Sequence, residues 1–189
     1  MGLLDAILGK TELPEAKTER LFAISTAAVT LEASLGLKAD GAAAICFKPM
    51  ESSKYDRAYR DIEGLLKIGA GESGVKWSLQ KDEFNYLWAV LQDPDFEDLV
   101  ATIHMVSQTL IEQGLGTQLL CAVYRFRGDG EKTVYWIYSF KQGSYYPFVP
   151  SGNKQRDNAL EIRLKAVMQK EMPVEKDLAL WYPLWGMPI

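Results

Sequence analysis

The chain has 189 residues, 48% of them hydrophobic and 24% charged, which suits a folded domain with a sizeable core and excludes long disordered stretches. The net charge is −4, and the densest basic series is the sparse Lys154, Arg156, Arg163, Lys165, so the electrostatic footprint of a nucleic-acid binder is missing. No apolar run approaches the roughly 20 residues of a membrane-spanning helix, and the start lacks a secretory signal; Met1-Gly2 fails as a myristoylation motif because position 6 is Ala6.

Leu3, Leu4, Ile7 and Leu8 fall on one side of a short helix, and a second helix is expected from Pro14 to about Ile24. Residues 27–35 alternate, with Ala27, Val29, Leu31, Ala33 and Leu35 on one side, and predict a half-buried strand. Gly36 to Gly41 supply a turn, and residues 42–48 its hairpin partner, stopped by Pro49. A helix follows, capped by Ser52 or Ser53, with the stripe Tyr55, Ala58, Tyr59, Ile62, Leu65, Leu66; Gly69, Gly71 and Gly74 break it.

The cycle then repeats. Strands are expected over 75–80 and 84–91, then a helix opened by Asp93-Pro94-Asp95 and carrying Phe96, Leu99, Val100, Ile103, Val106 and Leu110 to a stop at Gly114. Two further strands, 118–126 and 133–141, turn at Gly128-Asp129-Gly130. A loop over 142–155 leads to a helix over about 156–170, whose apolar face is Leu160, Leu164, Val167 and Met168, with Ile162 opposite. The expected fold is one α+β domain over 1–189, an antiparallel sheet of about six strands with helices mainly on one face, in the order α-α-(β-β-α)×3. Within it, 1–24 is an N-terminal helical segment and 171–189 an aromatic tail that folds back.

Residues able to carry chemistry are few. His104, the only histidine, sits at the edge of a buried helix stripe and reads better as a structural residue than as a base. Cys46 and Cys121 lie in apolar strand-like runs and read as buried thiols; a disulfide requires their strands to be neighbours. Two cysteines and one histidine do not build a four-ligand zinc site without carboxylates, and no phosphate-binding glycine loop opens a helix, so no metal or cofactor is expected. The acids Asp93, Asp95, Glu97 and Asp98 suit a helix start without acid–base catalysis. The densest polar–aromatic cluster spans 144–161: Tyr145, Tyr146 and Phe148 around Pro147, then Arg156, Asp157 and Asn158. It reads either as a recognition loop, with Arg156 holding a carboxylate or phosphate, or as a helix cap with an internal ion pair, the second being favoured. Trp181, Tyr182 and Trp185 are docking anchors or, preferably, a fold-back cover for a sheet edge.

Taken together, MGLLDAILG, RLFAISTAAVTLEASLGL, GAAAICFKP, DLVATIHMVSQTLIEQGLGTQLLCAVYRF, YYPFVP with QRDNALE, and PVEKDLALWYPLWG resemble the PspA-associated, PspAB-like family over nearly the whole chain. RDNALE and WYPLWG are the most specific elements. The resemblance implies a place in the phage-shock-protein system, which responds to stress on the cytoplasmic membrane of bacteria and archaea and whose central member, PspA, forms coiled-coil assemblies on the inner membrane surface. It supplies no catalytic residues. Tyr145, Tyr146, Phe148, Arg156, Asp157, Asn158, Trp181 and Trp185 are candidate partner-binding or structural positions. The resulting expectation is a non-catalytic, cytoplasmic adaptor that binds PspA or a related membrane-stress protein, with at most peripheral membrane contact. The alternatives are a small enzymatic or ligand-binding domain, in which Arg156, Asn158, His104 and carboxylates converge near the 144–158 loop, and a chaperone-like dimer.

Overall fold

A computed structural model describes residues 16–48, 52–128 and 132–189. The expected helix over Leu3–Leu8 and the start of the second at Pro14 lie outside them. The described elements are α1 (Ala23–Leu35), β1 (Lys38–Phe47), α2 (Ser52–Ser73), β2 (Lys76–Lys81), β3 (Leu87–Gln92), α3 (Phe96–Glu112), β4 (Leu119–Arg127), β5 (Thr133–Ser139), β6 (Ser144–Phe148), β7 (Pro150–Gly152), β8 (Gln155–Arg156) and α4 (Asn158–Met168). Short 3₁₀ turns occupy Gly116–Gln118 and Leu178–Leu180.

Six strands form one sheet in the order β2-β3-β1-β4-β5-β6, every neighbouring pair antiparallel; β7 and β8 make a separate small hairpin. The antiparallel six-stranded sheet agrees with expectation, but its membership differs. Residues 27–35 are helix, not strand. Leu21, Ile24, Ala27 and Leu31 are fully buried at helical spacing, whereas Val29, assigned to the buried side of a strand, is 71% exposed. Four alanines, the best helix formers, lie between Ala23 and Ala33, so the two-residue alternation was fortuitous. Gly36, at φ 63°, ends α1 by donating its N–H to the Glu32 carbonyl, and β1 begins two residues on.

The sixth strand is instead β6, inside the span expected to be a loop. The repeating element order fails with it. β1 has no hairpin partner next to it in the chain: it lies between β3 and β4, with helices forming the crossovers. α2 runs through Gly69 and Gly71 and stops only before Gly74, at φ 82°. Gly69 is a packing position, since a Cβ there would run into the Met105 side chain of α3.

α3 begins as its acids require. Asp95 accepts the Glu97 N–H at 2.9 Å, and Glu97 and Asp98 lie in the first turn. Its buried face, which includes Leu99, Val100, Ile103, Val106 and Leu110, is the expected stripe.

The two sheet faces have different covers. One presents Ala43, Ile45, Phe47, Ala122, Tyr124, Phe126, Trp136 and Tyr138 to the helices. Phe96 of α3 meets Tyr124 and Phe126 edge-on, and the Tyr138 and Tyr145 hydroxyls donate to the carbonyls of Lys17 and Leu21 at the approach to α1. The other face presents Ala44, Cys46, Cys121, Val123, Tyr135, Ile137, Tyr146 and Phe148. Here the cover is the C-terminal segment: Trp181 stacks on Tyr146, Trp185 meets Phe148 at 4.9 Å, and Tyr135 donates its hydroxyl to the Ile189 carbonyl. β1 is therefore buried on both sides from Ala42 to Phe47.

Candidate binding cleft and the closed edge of β6

The residues singled out in 144–161 and 181–185 form one assembly, and most of it is turned inward. In β6, alternate residues point their backbone groups away from β5. Tyr145 gives its N–H to the Pro173 carbonyl and takes the Glu175 N–H, both at 2.7 Å, so residues 173–175 lie alongside the strand as a parallel strap. Pro147 has no N–H to satisfy, which is why a proline is accepted at this edge. Val149 donates its N–H to Glu161 Oε1 and accepts the Asp157 N–H, each at 2.8 Å.

Arg156 holds this corner together. Its Nε donates to Glu161 Oε1 at 2.9 Å, Nη1 to the Trp181 carbonyl at 2.8 Å and Nη2 to the Pro147 carbonyl at 3.4 Å. Its guanidinium also lies 5.4 Å from the Phe148 ring centre. Glu161 is only 2% exposed, so its carboxylate is buried and paired with a guanidinium that is itself mostly covered. Three of the Arg156 donors are thus spent on internal acceptors. Asp157 caps α4 by accepting the Leu160 N–H at 2.9 Å, and Asn158 is exposed in the first turn. Tyr145, Tyr146 and Phe148 are buried; Trp181 is 5% exposed, donates its Nε1–H to the Glu175 carbonyl and lies under Lys165. Ile162 is exposed, so α4 is covered on one side only.

Asp157 also accepts from Lys132 Nζ at 2.6 Å, and that bond, with the Leu160 N–H, holds its carboxyl below the usual carboxylate range. A carboxyl depressed in the folded state stabilises above its unfolded pKa, near 4, and loses that contribution as pH falls through the depressed value. Asp157→Asn keeps a capping oxygen but removes the charge. Its stability deficit in urea unfolding is expected to be largest at pH 7 and to shrink towards pH ~3; a deficit that does not change with pH would show that the Lys132 pair contributes nothing.

Beside this closed corner the same sheet face carries a cleft of about 640 Å³. Its floor is Cys46, Trp88, Leu119, Cys121 and Tyr146. Its walls are the β2–β3 turn, the 3₁₀ turn before β4, the β5–β6 turn, and Leu180 to Trp185, with Lys48, Lys141 and Lys154 among the lining residues. The larger polar groups of the floor are already engaged: Tyr146 donates its hydroxyl to the Tyr182 carbonyl, and Trp88 its Nε1–H to Asp82 Oδ2 at 2.9 Å. Asp82 further accepts the N–H groups of Phe84 and Tyr86, which fixes the β2–β3 turn as one wall. What the floor offers an incoming group is aromatic, aliphatic and thiol surface.

Neither His104 nor Arg156 lines the cleft. His104 is on α3, across the sheet, its ring 4.5 Å from that of Phe22, and burial lowers its pKa. Among the described residues no group of three His, Cys, Asp or Glu side chains stands together as a metal site, and no helix is long and apolar enough to cross a membrane. Sequence reasoning singled out Cys46 and Cys121 as buried thiols, and their strands are indeed neighbours, but it did not place them with Trp88 on the floor of a cleft.

No curated protein and no solved structure matches the chain. The family model described as PspA associated protein B matches residues 1–189, the whole chain. With that match over its full length, the chain belongs to the PspAB family, PspA associated protein B.

Proposed function

We propose that this chain is a non-catalytic adaptor that binds PspA, and that the cleft beside the β6 corner receives apolar side chains from one face of a PspA helix. The observation that carries the reading is the cleft floor: aromatic, aliphatic and thiol surface, with its tyrosine and tryptophan donors already satisfied. Such a floor favours apolar anchors at helical spacing. The lysines of its lining suit the acidic residues that flank such anchors in an amphipathic helix. The family's association with PspA supports the choice of partner, and a role in the membrane-stress response follows from that partner.

The test is direct binding of purified PspA, measured by calorimetry, with a variant that fills the cleft. Ser139 is half-buried on the cleft wall, opposite Cys121 in the register. Ser139→Trp is expected to weaken binding at least about tenfold, ~1.4 kcal/mol, while unfolding stability changes little because the new ring enters open space. Absence of binding by the unaltered chain, or equal affinity of the variant, would overturn the proposal. A second reading, a small apolar ligand in the same place, is favoured by the volume alone, which lies within the roughly 300–1,000 Å³ of ligand sites. Native mass spectrometry of protein taken from its own cells would detect such a ligand.

A further inference from the structure

Two thiols stand side by side on the cleft floor. Cys46 of β1 and Cys121 of β4 are opposed partners in the antiparallel register, both are free, and both border the cleft. Opposed residues on antiparallel strands have Cα atoms about 4.5 or 5.5 Å apart, and both values fall within the roughly 4.4–6.8 Å over which a disulfide closes. We propose that Cys46 and Cys121 are a redox-active dithiol, oxidised to an intramolecular disulfide by a low-molecular-weight disulfide that enters the cleft. This goes beyond the adaptor reading and does not depend on it.

The surroundings give the two sulfurs different tasks. The neighbouring Cys121 and burial raise the Cys46 thiol above its ordinary value. Cys121 is the more exposed to the cleft, 7% against 3%, and is therefore assigned the first attack, which a thiol makes as its thiolate. Cys121 Sγ bonds to one sulfur of the incoming disulfide, whose S–S bond breaks, and one small thiolate leaves and is protonated by water. Cys46 then gives its proton to solvent and attacks Cys121 Sγ, expelling the second small thiol. Two protein thiols are oxidised by two electrons, and one small disulfide is reduced to two thiols. The cleft gives the mixed-disulfide intermediate room, which a thiol sealed in a core lacks.

The experiment treats the folded, reduced chain with oxidised glutathione and follows intact mass and free-thiol count. The unaltered chain is expected to lose about 2 Da and both thiols while remaining monomeric without reductant. Cys46→Ser is expected to stop at a single glutathione adduct on Cys121, and Cys121→Ser to react at least about tenfold more slowly. The proposal is overturned if the folded chain keeps both thiols under conditions that oxidise the same chain in denaturant, or if oxidation only joins separate molecules. A Cys121→Ser variant that reacts as fast as Cys46→Ser overturns the assignment of Cys121 as the attacking sulfur.

Discussion

Arg156→Ala is expected to lower the unfolding free energy by about 3–5 kcal/mol, the cost of leaving a buried carboxylate without its partner. Glu161, at 2% exposure, would retain only the Val149 N–H, and the carbonyls of Trp181 and Pro147 would lose their donor in the same step. Arg156→Lys is expected to recover little, because one ammonium on a flexible stem cannot replace a planar group bonded in three directions. Chemical denaturation measures the loss. PspA affinity, taken at a temperature where the variant is still folded, tells what the residue is for. Unchanged affinity with lowered stability assigns Arg156 to the fold; lost affinity with unchanged stability would restore it as a recognition residue.

Trp181→Ala is expected to cost a similar amount, about 3–5 kcal/mol, through a large cavity beside Tyr146 and the loss of the Nε1–H bond to Glu175. Trp181→Phe keeps most of the apolar area and forfeits mainly that bond, so its cost is expected to be nearer 1 kcal/mol. The two sites are in contact, since Arg156 Nη1 bonds the Trp181 carbonyl. Arg156→Ala combined with Trp181→Ala is therefore expected to fall short of the sum of the single losses by roughly 0.5–3 kcal/mol. Strict additivity in denaturant unfolding would mean that the tail and the β6 corner form separately.

Periodicity served well where one face is buried and the other wet. The stripe of α3 and the alternation of β2 were legible on that ground, whereas the strands around 84–91, 118–126 and 133–141, buried on both faces, were legible as apolar runs between turns. It misled where composition gave two periods at once, as in the alanine-rich α1, and the deciding residue was Val29, whose exposure no spacing reveals. β6 was hidden by Pro147, which argues against a strand unless one knows that the residue faces outward at an edge. Asp157 as a cap and Arg156 as half of an internal ion pair were readable because both partners are local. The cleft was not, because its floor comes from β1, β3, β4 and β6, brought together only by a strand order that departs from the chain order. The opposition of Cys46 and Cys121 depends on the same placement of β1 between β3 and β4.

The outward backbone groups of β6 and of the residue that follows it are spoken for one after another: Tyr145 by the 173–175 strap, the Pro147 carbonyl by Arg156, and Val149, just past the strand, by Glu161 and Asp157. An unpaired sheet edge is a template on which another chain can add a strand, in specific complexes and in amyloid alike. This end of the sheet offers no such template, so a peptide that binds here by β-augmentation must first peel away the strap. Polymerisation through this edge is blocked by the same hydrogen bonds that hold the aromatic corner in place.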